Sequence, residues 1–216
     1  MVRKGFFSSY TGVIISINVV AFVIFSLALI LLKHINPLEI YSYVAIQPAM
    51  ILAGKNLWTI ITHLFMHANF THLLVNMISL MFIGSFVEKL IGKKRFLWVY
   101  FGGGIAAALL FIIVAGITGT DLNTFAVGAS GAIFALGGLL AVLTPKLPVL
   151  VFFILPLPMW AAMAFLLGVM WVISITAGVP IGNIAHLGGL ILGVAYGFYL
   201  KNKYPHKTKM IARYFS

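Results

Sequence analysis

Six apolar stretches follow one another along the chain, each close to the length of a helix that crosses a lipid bilayer. They cover residues 12–32, 71–91, 96–117, 129–144, 150–176 and 184–200. A hydrocarbon core needs roughly 20 helical residues, and the fourth and sixth stretches are shorter and rich in glycine. In the fifth stretch we expect the helix to begin after Pro158, because Pro156 and Pro158 would interrupt a helix interior. The pattern predicts an all-α membrane protein built as a bundle of six transmembrane helices.

The composition supports lipid as the main solvent of this chain. Of its 216 residues, 62% are hydrophobic and only 8% are charged, whereas about a quarter of a soluble domain is charged. The absence of cysteine excludes a disulfide framework and thiol chemistry. The formal net charge of +11 lies in clusters between the apolar stretches rather than on one face, so we expect no nucleic-acid partner.

The distribution of lysine and arginine predicts the orientation of the bundle. Twelve of the 14 basic residues fall on the side of the N-terminus, and only Lys33 and Lys55 fall on the other side. The positive-inside rule then places both termini in the cytoplasm, which requires an even number of spans. We expect a single domain over residues 1–216 with short cytoplasmic tails, 1–10 and 201–216, the second lying at the lipid headgroups. The first apolar stretch is too long for a signal peptide, so we expect it to be retained.

The one long connection, residues 33–70, lies between the first and second stretches. It is moderately apolar and contains Tyr41, Tyr43 and Trp58. Such a composition is typical of a segment that lies in the membrane interface.

Polar residues inside the apolar stretches are candidate site residues, because polar groups are costly at membrane depth. Ser130 lies between Gly128 and Gly131 at the start of the fourth stretch. Serine and glycine also pack transmembrane helices, so this serine alone carries little weight. On a helix, Phe134 and the glycines at 137–138 share its face, and we expect Phe134 and Gly137 to let another helix come close.

The sixth stretch offers a matching helix face. His186 lies near its outer end, and Gly189, Gly193 and Gly197 follow close to the same face. A glycine stripe permits close helix packing, and packing alone is the simpler interpretation. If this stripe packs on the fourth stretch, however, the Ser130 hydroxyl and the His186 imidazole come within hydrogen-bond range. That is the arrangement of a base-activated nucleophile.

A third catalytic acid is not evident. The acidic residues are Asp121 in an outer loop, Glu39 in the long connection and Glu88 at the inner end of the second stretch. None is placed to orient His186, so we favour a Ser–His dyad over a triad completed by Asp121.

Three histidines and an asparagine precede or open the second stretch. His72 and Asn76 are four residues apart and share a helix face, and both side chain types can stabilise an oxyanion. The three histidines could instead bind zinc, but no acidic residue or H-E-x-x-H motif accompanies them, and we expect no metal and no other cofactor. For His63 and His67 we favour a third role, bridging a buried loop.

Three motifs together resemble the rhomboid intramembrane serine proteases. They are GASG at 128–131, AHLGGLILG at 185–193 and HANFTHLLVN at 67–76. The family patterns G-x-S-G, A-H-x-x-G-x-x-x-G and H-x-x-x-x-H-x-x-x-N agree with them in order, spacing and membrane depth. The resemblance extends from about Trp58 to Gly197.

The resemblance implies that Ser130 is the nucleophile and His186 the general base. It implies that His72, Asn76 and the backbone N–H of Ser130 form the oxyanion hole. Gly189 and Gly193 belong to the matching histidine motif. The long connection would then be a partly embedded hairpin, and the fifth stretch a mobile gate for substrate.

The resemblance also identifies Glu88 with a buried acid that holds helices together without a part in the chemistry. Two positions depart from the family. Thr59 follows Trp58 where arginine is common, and Phe134 stands where tyrosine is common. An aromatic ring that can stack on His186 is retained.

The expected function is cleavage of single-span transmembrane proteins at a membrane-embedded serine. We expect a multi-pass protein of the cell membrane whose active site faces the extracytoplasmic side, with Gly128 and Gly131 leaving room beside Ser130 for substrate and oxyanion. Alternatives are an inactive rhomboid-like protein that binds transmembrane helices, and a channel or transporter. The first would typically lack the serine or the histidine, and the second would carry polar residues across the midplane.

Overall fold

The computed structural model describes residues 8–152, 154–178 and 182–215. Its helices are α1 (Tyr10–Leu31), α2 (Pro37–Ser42), α3 (Pro48–Leu52), α4 (Thr59–Thr62), α5 (Phe70–Ser79), α6 (Ser85–Ile91), α7 (Lys93–Thr118), α8 (Ser130–Leu143), α9 (Met159–Ala177), α10 (Asn183–Lys203) and α11 (Pro205–Tyr214). A 3-10 turn, His63–Phe65, follows α4, and a π-helical turn, Leu80–Gly84, joins α5 to α6. Two strands, β1 (Pro148–Val151) and β2 (Leu155–Pro158), precede α9. Arg3 and Lys4, which count toward the predicted orientation, and most of the tail they belong to lie outside the described residues.

Five helical segments of the described residues are long and apolar enough to cross a membrane. They are Tyr10–Leu31, Phe70–Ile91, Lys93–Thr118, Met159–Ala177 and Asn183–Lys203, the second of which combines α5, the π-helical turn and α6. The apolar helix α8 has only 14 residues, a rise of about 21 Å against a hydrocarbon core of about 30 Å. The all-α membrane bundle is therefore confirmed. The count of six spans depends on α8 and stays a prediction.

The start of the fifth apolar stretch is not helical. α9 begins at Met159, directly after Pro158, as the prolines predict. The residues before it form an antiparallel hairpin of β1 and β2, in which Pro148 lies opposite Pro158. The apolar pattern did not predict this hairpin, because a short run of apolar residues is compatible with both a strand and a helix.

α8 forms the centre of the bundle. It contains no charged residue, and 11 of its 14 residues are buried against α7, α9, α10 and the π-helical turn. α1 lies at the periphery and exposes apolar side chains such as Ile24 and Ile30. Exposed apolar side chains are stable where lipid is the solvent, so this distribution fits a bundle that buries its most central helix and presents α1 to lipid.

α10 packs against α8 along its glycines. A Cβ on Gly189 would run into the backbone carbonyl oxygen of Gly131, and a Cβ on Gly193 into that of Ala135. Residue numbers rise together along this contact, so the two helices run parallel and their N-termini lie at the same end of the bundle. We call this end the site end.

Gly137 does not contribute to the contact with α10, and the prediction that it lets α10 approach is wrong. A Cβ on Gly137 would instead collide with the Met163 side chain of α9, whereas Gly138 faces the carbonyl oxygen of Leu190 in α10. The row that contacts α10 consists of Gly131, Ala135 and Gly138, and Gly137 is turned about 100° away from Gly138.

The end opposite the site end is held by Glu88. One carboxylate oxygen accepts the backbone N–H of Tyr10 at 2.9 Å, and the other accepts the N–H and the hydroxyl of Thr11, each at 2.8 Å. Glu88 is buried and thereby joins α6 to the first turn of α1. A carboxylate is favourable at a helix N-terminus, where backbone N–H groups lack partners within the helix. The structure thus gives Glu88 the helix-joining contacts that the resemblance implies.

The long connection folds back on itself at the site end. Asn56 donates to the carbonyl of Ser42 at 2.8 Å, and the indole N–H of Trp58 donates to that of Tyr43 at 2.9 Å. An isolated antiparallel bridge then pairs Ile46 with Ala126 in the loop that precedes α8. The connection therefore supports the loop that leads into Ser130.

Candidate active site

The Ser130 hydroxyl and the His186 imidazole are hydrogen-bonded. Oγ and Nε2 are 2.8 Å apart, although the two residues are separated by 56 positions in the sequence. The distance follows from the fold, because α8 begins at Ser130, α10 begins at Asn183, and the two helices run parallel in close contact. His186 is buried, with 6% of its surface exposed, and Ser130 is half-buried.

A cavity of about 560 Å³ lies beside this pair at the site end. Its walls come from the 3-10 turn, the start of α5, the middle of α7, the loop that precedes α8, and the ends of α9 and α10. Residues from these walls include His72, Trp171 and Ser174. α8 begins at Ser130, so the cavity lies at the N-terminal end of this short helix.

His72 extends from α5 toward the serine. A Cβ on Gly128 would lie 2.9 Å from the Nε2 of His72 and 3.7 Å from the Oγ of Ser130, so both atoms flank the α-carbon of Gly128. The Nδ1 of His72 accepts a long hydrogen bond, 3.5 Å, from the backbone N–H of Ala68. This contact favours the tautomer that carries its proton on Nε2, which makes His72 a hydrogen-bond donor beside Ser130.

Asn76 lies one turn further along α5. Its Nδ2 donates to the backbone carbonyl of His72 at 2.8 Å, and the residue is buried with 5% exposure. Asn76 does not line the cavity, whereas His72 does. The backbone N–H of Ser130 belongs to the first residue of α8 and has no carbonyl partner within that helix. His72 and this N–H are therefore the two candidate oxyanion donors at the cavity itself.

Phe134 and the two glycines determine how tightly the site is packed. The Phe134 ring stacks on the His186 ring at 4.7 Å between centroids and 17° between planes.

Gly128 has a positive φ of +122°, and a Cβ there would meet His72, while a Cβ on Gly131 would collide with Ala107 of α7. We expected these glycines to leave room for substrate. That expectation stays a prediction, since both glycines line the cavity while the positions of their missing β-carbons lie against protein atoms.

His63 supports the loop that precedes Ser130. Its Nδ1–H donates to the carbonyl of Thr59 at 3.0 Å, and its own carbonyl accepts the N–H of Gly128 at 2.9 Å. Burial lowers the pKa of His63 to about 4, with backbone hydrogen bonds to Thr59 and Ile60 acting in the opposite direction. His63 is therefore neutral at pH 7 and bridges the loop, as we expected.

His67 is buried beside His72, with ring centroids 5.1 Å apart. Burial and, to a smaller extent, the proximity of His72 lower the pKa of His67 to about 3, and the backbone of Phe65 acts in the opposite direction. Neither ring nitrogen makes a hydrogen bond of ordinary geometry with the described residues. His67 thus packs as a neutral aromatic ring behind His72.

No acidic side chain among the described residues orients His186. The Asp121 carboxylate accepts the Thr124 hydroxyl at 3.0 Å in an exposed turn, and the Nδ1 of His186 has no hydrogen-bond partner in the described part of the chain. The described ranges also contain no cluster of three or more histidine, cysteine or acidic side chains that could hold a metal. Ser130 and His186 thus form a hydrogen-bonded pair without an acidic partner among the described residues.

Of the polar cavity residues that were not predicted from the sequence, Asn183 is the most deeply buried. Asn183, the first residue of α10, lines the cavity, and its Oδ1 is buried without a hydrogen-bond partner in the described part of the chain. It precedes His186 by three positions and so shares its helix face. The polar residue at that spacing was a signal that could have identified it.

The chain is similar to known proteins over most of its length. A sequence model of the Rhomboid domain matches residues 54–203. Rhomboid protein 1, mitochondrial, of Saccharomyces cerevisiae is 33% identical over 147 residues, which cover 66% of this chain and 41% of the yeast protein. Rhomboid-like protease 2 of Toxoplasma gondii is 31% identical over 166 residues, which cover 76% of this chain and 55% of that protein.

A third relative, RHOMBOID-like protein 1 of Arabidopsis thaliana, is 33% identical over 164 residues, 71% of this chain and 37% of the plant protein. The chain thus matches from about a third to just over half of the length of these relatives. The matched domain contains α5 to α10 and with them every residue of the candidate site. Together with its apolar helices, the match makes this a multi-pass membrane protein, and the chain belongs to the rhomboid family.

Proposed function

We propose that this protein is a serine endopeptidase that cleaves within the membrane, with Ser130 as nucleophile and His186 as general base. The observation that carries the proposal is the 2.8 Å hydrogen bond between their side chains in a cavity of a membrane bundle. A named protease among the relatives, Rhomboid-like protease 2 of Toxoplasma gondii, adds support. The pair is held by two parallel helices in close contact, so it needs no large rearrangement to react.

The first chemical step is attack on the substrate carbonyl. Nε2 of His186 takes the hydroxyl proton of Ser130 while Oγ forms a bond to the carbonyl carbon. Negative charge then develops on the former carbonyl oxygen. In our proposal the backbone N–H of Ser130 and the Nε2–H of His72 donate to it, and Asn76 supports the site from one turn below. A donor of this kind contributes about 3 kcal/mol to catalysis.

The remaining steps return the enzyme to its starting state. His186 gives its proton to the leaving amine, the peptide bond breaks, and an acyl group stays on Ser130. Water then attacks the acyl carbon, His186 accepts its proton, and the Ser130 hydroxyl is restored.

The substrates we propose are single-span transmembrane proteins. A peptide bond inside a helix is shielded by its neighbours and by lipid, so the segment to be cut has to unwind into a polar recess. The cavity beside Ser130 supplies such a recess. We further propose six spans in the cell membrane with cytoplasmic termini, which places the site end on the extracytoplasmic side.

The test is active-site labelling of the purified full-length protein with a fluorophosphonate. Wild type should be labelled and Ser130→Ala should not, with equal melting temperatures for the two. Ser174→Ala, which removes another serine of the same cavity, is the matched control and should be labelled like wild type. A folded wild-type protein that is never labelled would favour the inactive rhomboid-like alternative, and a labelled Ser130→Ala would identify another nucleophile.

A further inference from the structure

Two buried polar atoms of α10 lack hydrogen-bond partners among the described residues. They are the Nδ1 of His186 and the Oδ1 of Asn183. Each residue has only 6% of its surface exposed, and both line the cavity beside Ser130. Buried polar atoms are nearly always paired, and an unpaired one in a native structure calls for an explanation. Here the two unpaired atoms are complementary, since an imidazole N–H donates and an amide oxygen accepts.

The tautomer of His186 sets the need for an acceptor. To take the proton of Ser130, Nε2 has to be unprotonated, so the neutral ring carries its hydrogen on Nδ1. This Nδ1–H is the atom that lies buried without a partner. Without an acceptor for the Nδ1–H, no hydrogen bond stabilises this tautomer relative to the one that carries its proton on Nε2. That second tautomer cannot act as the base.

Asn183 is placed to supply that acceptor. Residues three apart on a helix are neighbours, and helical side chains lean toward the N-terminus, so the His186 ring leans over the turn that begins at Asn183. Stacking of Phe134 on the ring restricts its tilt, which keeps Nδ1 in a fixed direction.

The other polar groups around His186 are already assigned. Ser130 of α8 occupies Nε2, Asp121 of the loop preceding α8 binds Thr124, and His63 binds Thr59. The cavity walls also contain His72 of α5 and, on α9, Trp171 and Ser174, but no acidic or basic side chain from α7, α9 or α10 besides His186.

We propose that Asn183 is a positioning residue for the base. Its Oδ1 accepts the Nδ1–H of His186, directly after a rotation of the amide or through one water in the cavity, and so holds the reactive tautomer. The inference rests on the proposed function of Ser130 and His186. When Ser130 transfers its proton, His186 carries a proton on both nitrogens, and the hydrogen bond to Asn183 strengthens because its donor is then charged.

The experiment measures the rate of fluorophosphonate labelling of full-length protein as a function of pH. Asn183→Leu removes the acceptor at similar volume. We expect about tenfold slower labelling at the plateau and an acidic limb displaced to lower pH, since the protonated ring loses a stabilising partner. Asn183→Asp keeps an acceptor and adds charge, so it should restore the plateau rate and displace the acidic limb to higher pH.

Ile191→Ala is the matched control, because Ile191 lies on the same helix, is exposed, does not line the cavity and has no polar side-chain atom. It should leave the pH profile unchanged. The proposal is overturned if Asn183→Leu reacts at the wild-type rate, or if Asn183→Asp has the same profile as Asn183→Leu. Failure of the proposed function would be distinct, since wild type would then resist labelling or Ser130→Ala would accept it.

Discussion

Two buried polar clusters, one around Glu88 and one around His186, differ in how completely their hydrogen bonds are made. At the end opposite the site, each oxygen of the Glu88 carboxylate accepts at least one hydrogen bond from the start of α1. At the site end, His186 makes a hydrogen bond through one ring nitrogen, and neither ring nitrogen of His67 makes one with the described residues. The first cluster joins two helices, whereas the second surrounds a cavity.

The difference separates a structural cluster from a reactive one. A buried group with all its partners stabilises the fold and has no hydrogen-bonding capacity left for a ligand. A cluster that keeps unpaired donors and acceptors is less stable by itself, but it can bind water, substrate or a developing charge. Substitutions at the site end should therefore lower activity more than stability, and substitutions at Glu88 should do the opposite.

The largest effect is expected for the oxyanion donors. His72→Ala should lower kcat/KM for cleavage of a single-span substrate by about 10²–10³-fold, because a donor to the developing oxyanion is lost. Asn76→Ala should lower it less, since Asn76 lies outside the cavity wall. Melting temperature should change little in His72→Ala, and His34→Ala, at an exposed histidine, is the control. A loss below threefold in His72→Ala would contradict the role of His72.

Glu88→Gln should mainly affect stability. The amide keeps one acceptor oxygen but loses the charge and half of the accepting capacity, so bonds to Tyr10 and Thr11 are weakened or lost. Hydrogen bonds to charged groups contribute about 1.5–3 kcal/mol each, and we expect a loss of about 2 kcal/mol in the free energy of unfolding. Thermal unfolding in detergent measures it, and fluorophosphonate labelling of the folded fraction should stay at the wild-type rate. A variant as stable as wild type would show that Glu88 does not stabilise the fold by joining α6 to α1.

Much of this contrast could be predicted from sequence, because it depends on residue type and helical periodicity. The spacing of His186 and its glycines predicted a close contact with the fourth stretch, and the resemblance to the rhomboid family implied a buried, helix-joining Glu88. What periodicity could not supply is which neighbour each helix face meets. Gly138 packs against α10, whereas Gly137, the residue before it, packs against Met163 of α9.

The hairpin before α9 and the packing of Gly131 against α7 were missed for a related reason. Both depend on which neighbour fills a space, and a single sequence does not contain that information. Ala107 of α7 approaches the α-carbon of Gly131. The spacing of Asn183 from His186 was visible in the sequence, but its unpaired Oδ1 is visible only in the structure.

The smallest effect concerns pH and extends the comparison to the buried histidines. Burial lowers the pKa of His63 from its ordinary 6.5 to about 4, so the unfolded chain takes up a proton at higher pH than the folded protein. The free energy of unfolding should therefore be highest above about pH 7 and decline as the pH falls from about 6.5 toward 4, with a loss of about 1 kcal/mol at pH 5.5 from this residue.

His63→Asn, which retains a donor for the Thr59 carbonyl, should reduce the difference in melting temperature between pH 7.5 and pH 5.5. His206→Asn, at an exposed histidine of α11, should leave that difference unchanged. Equal pH dependence in wild type and His63→Asn would mean that His63 is not held neutral by the fold, and the site end would then owe its acid sensitivity to another group.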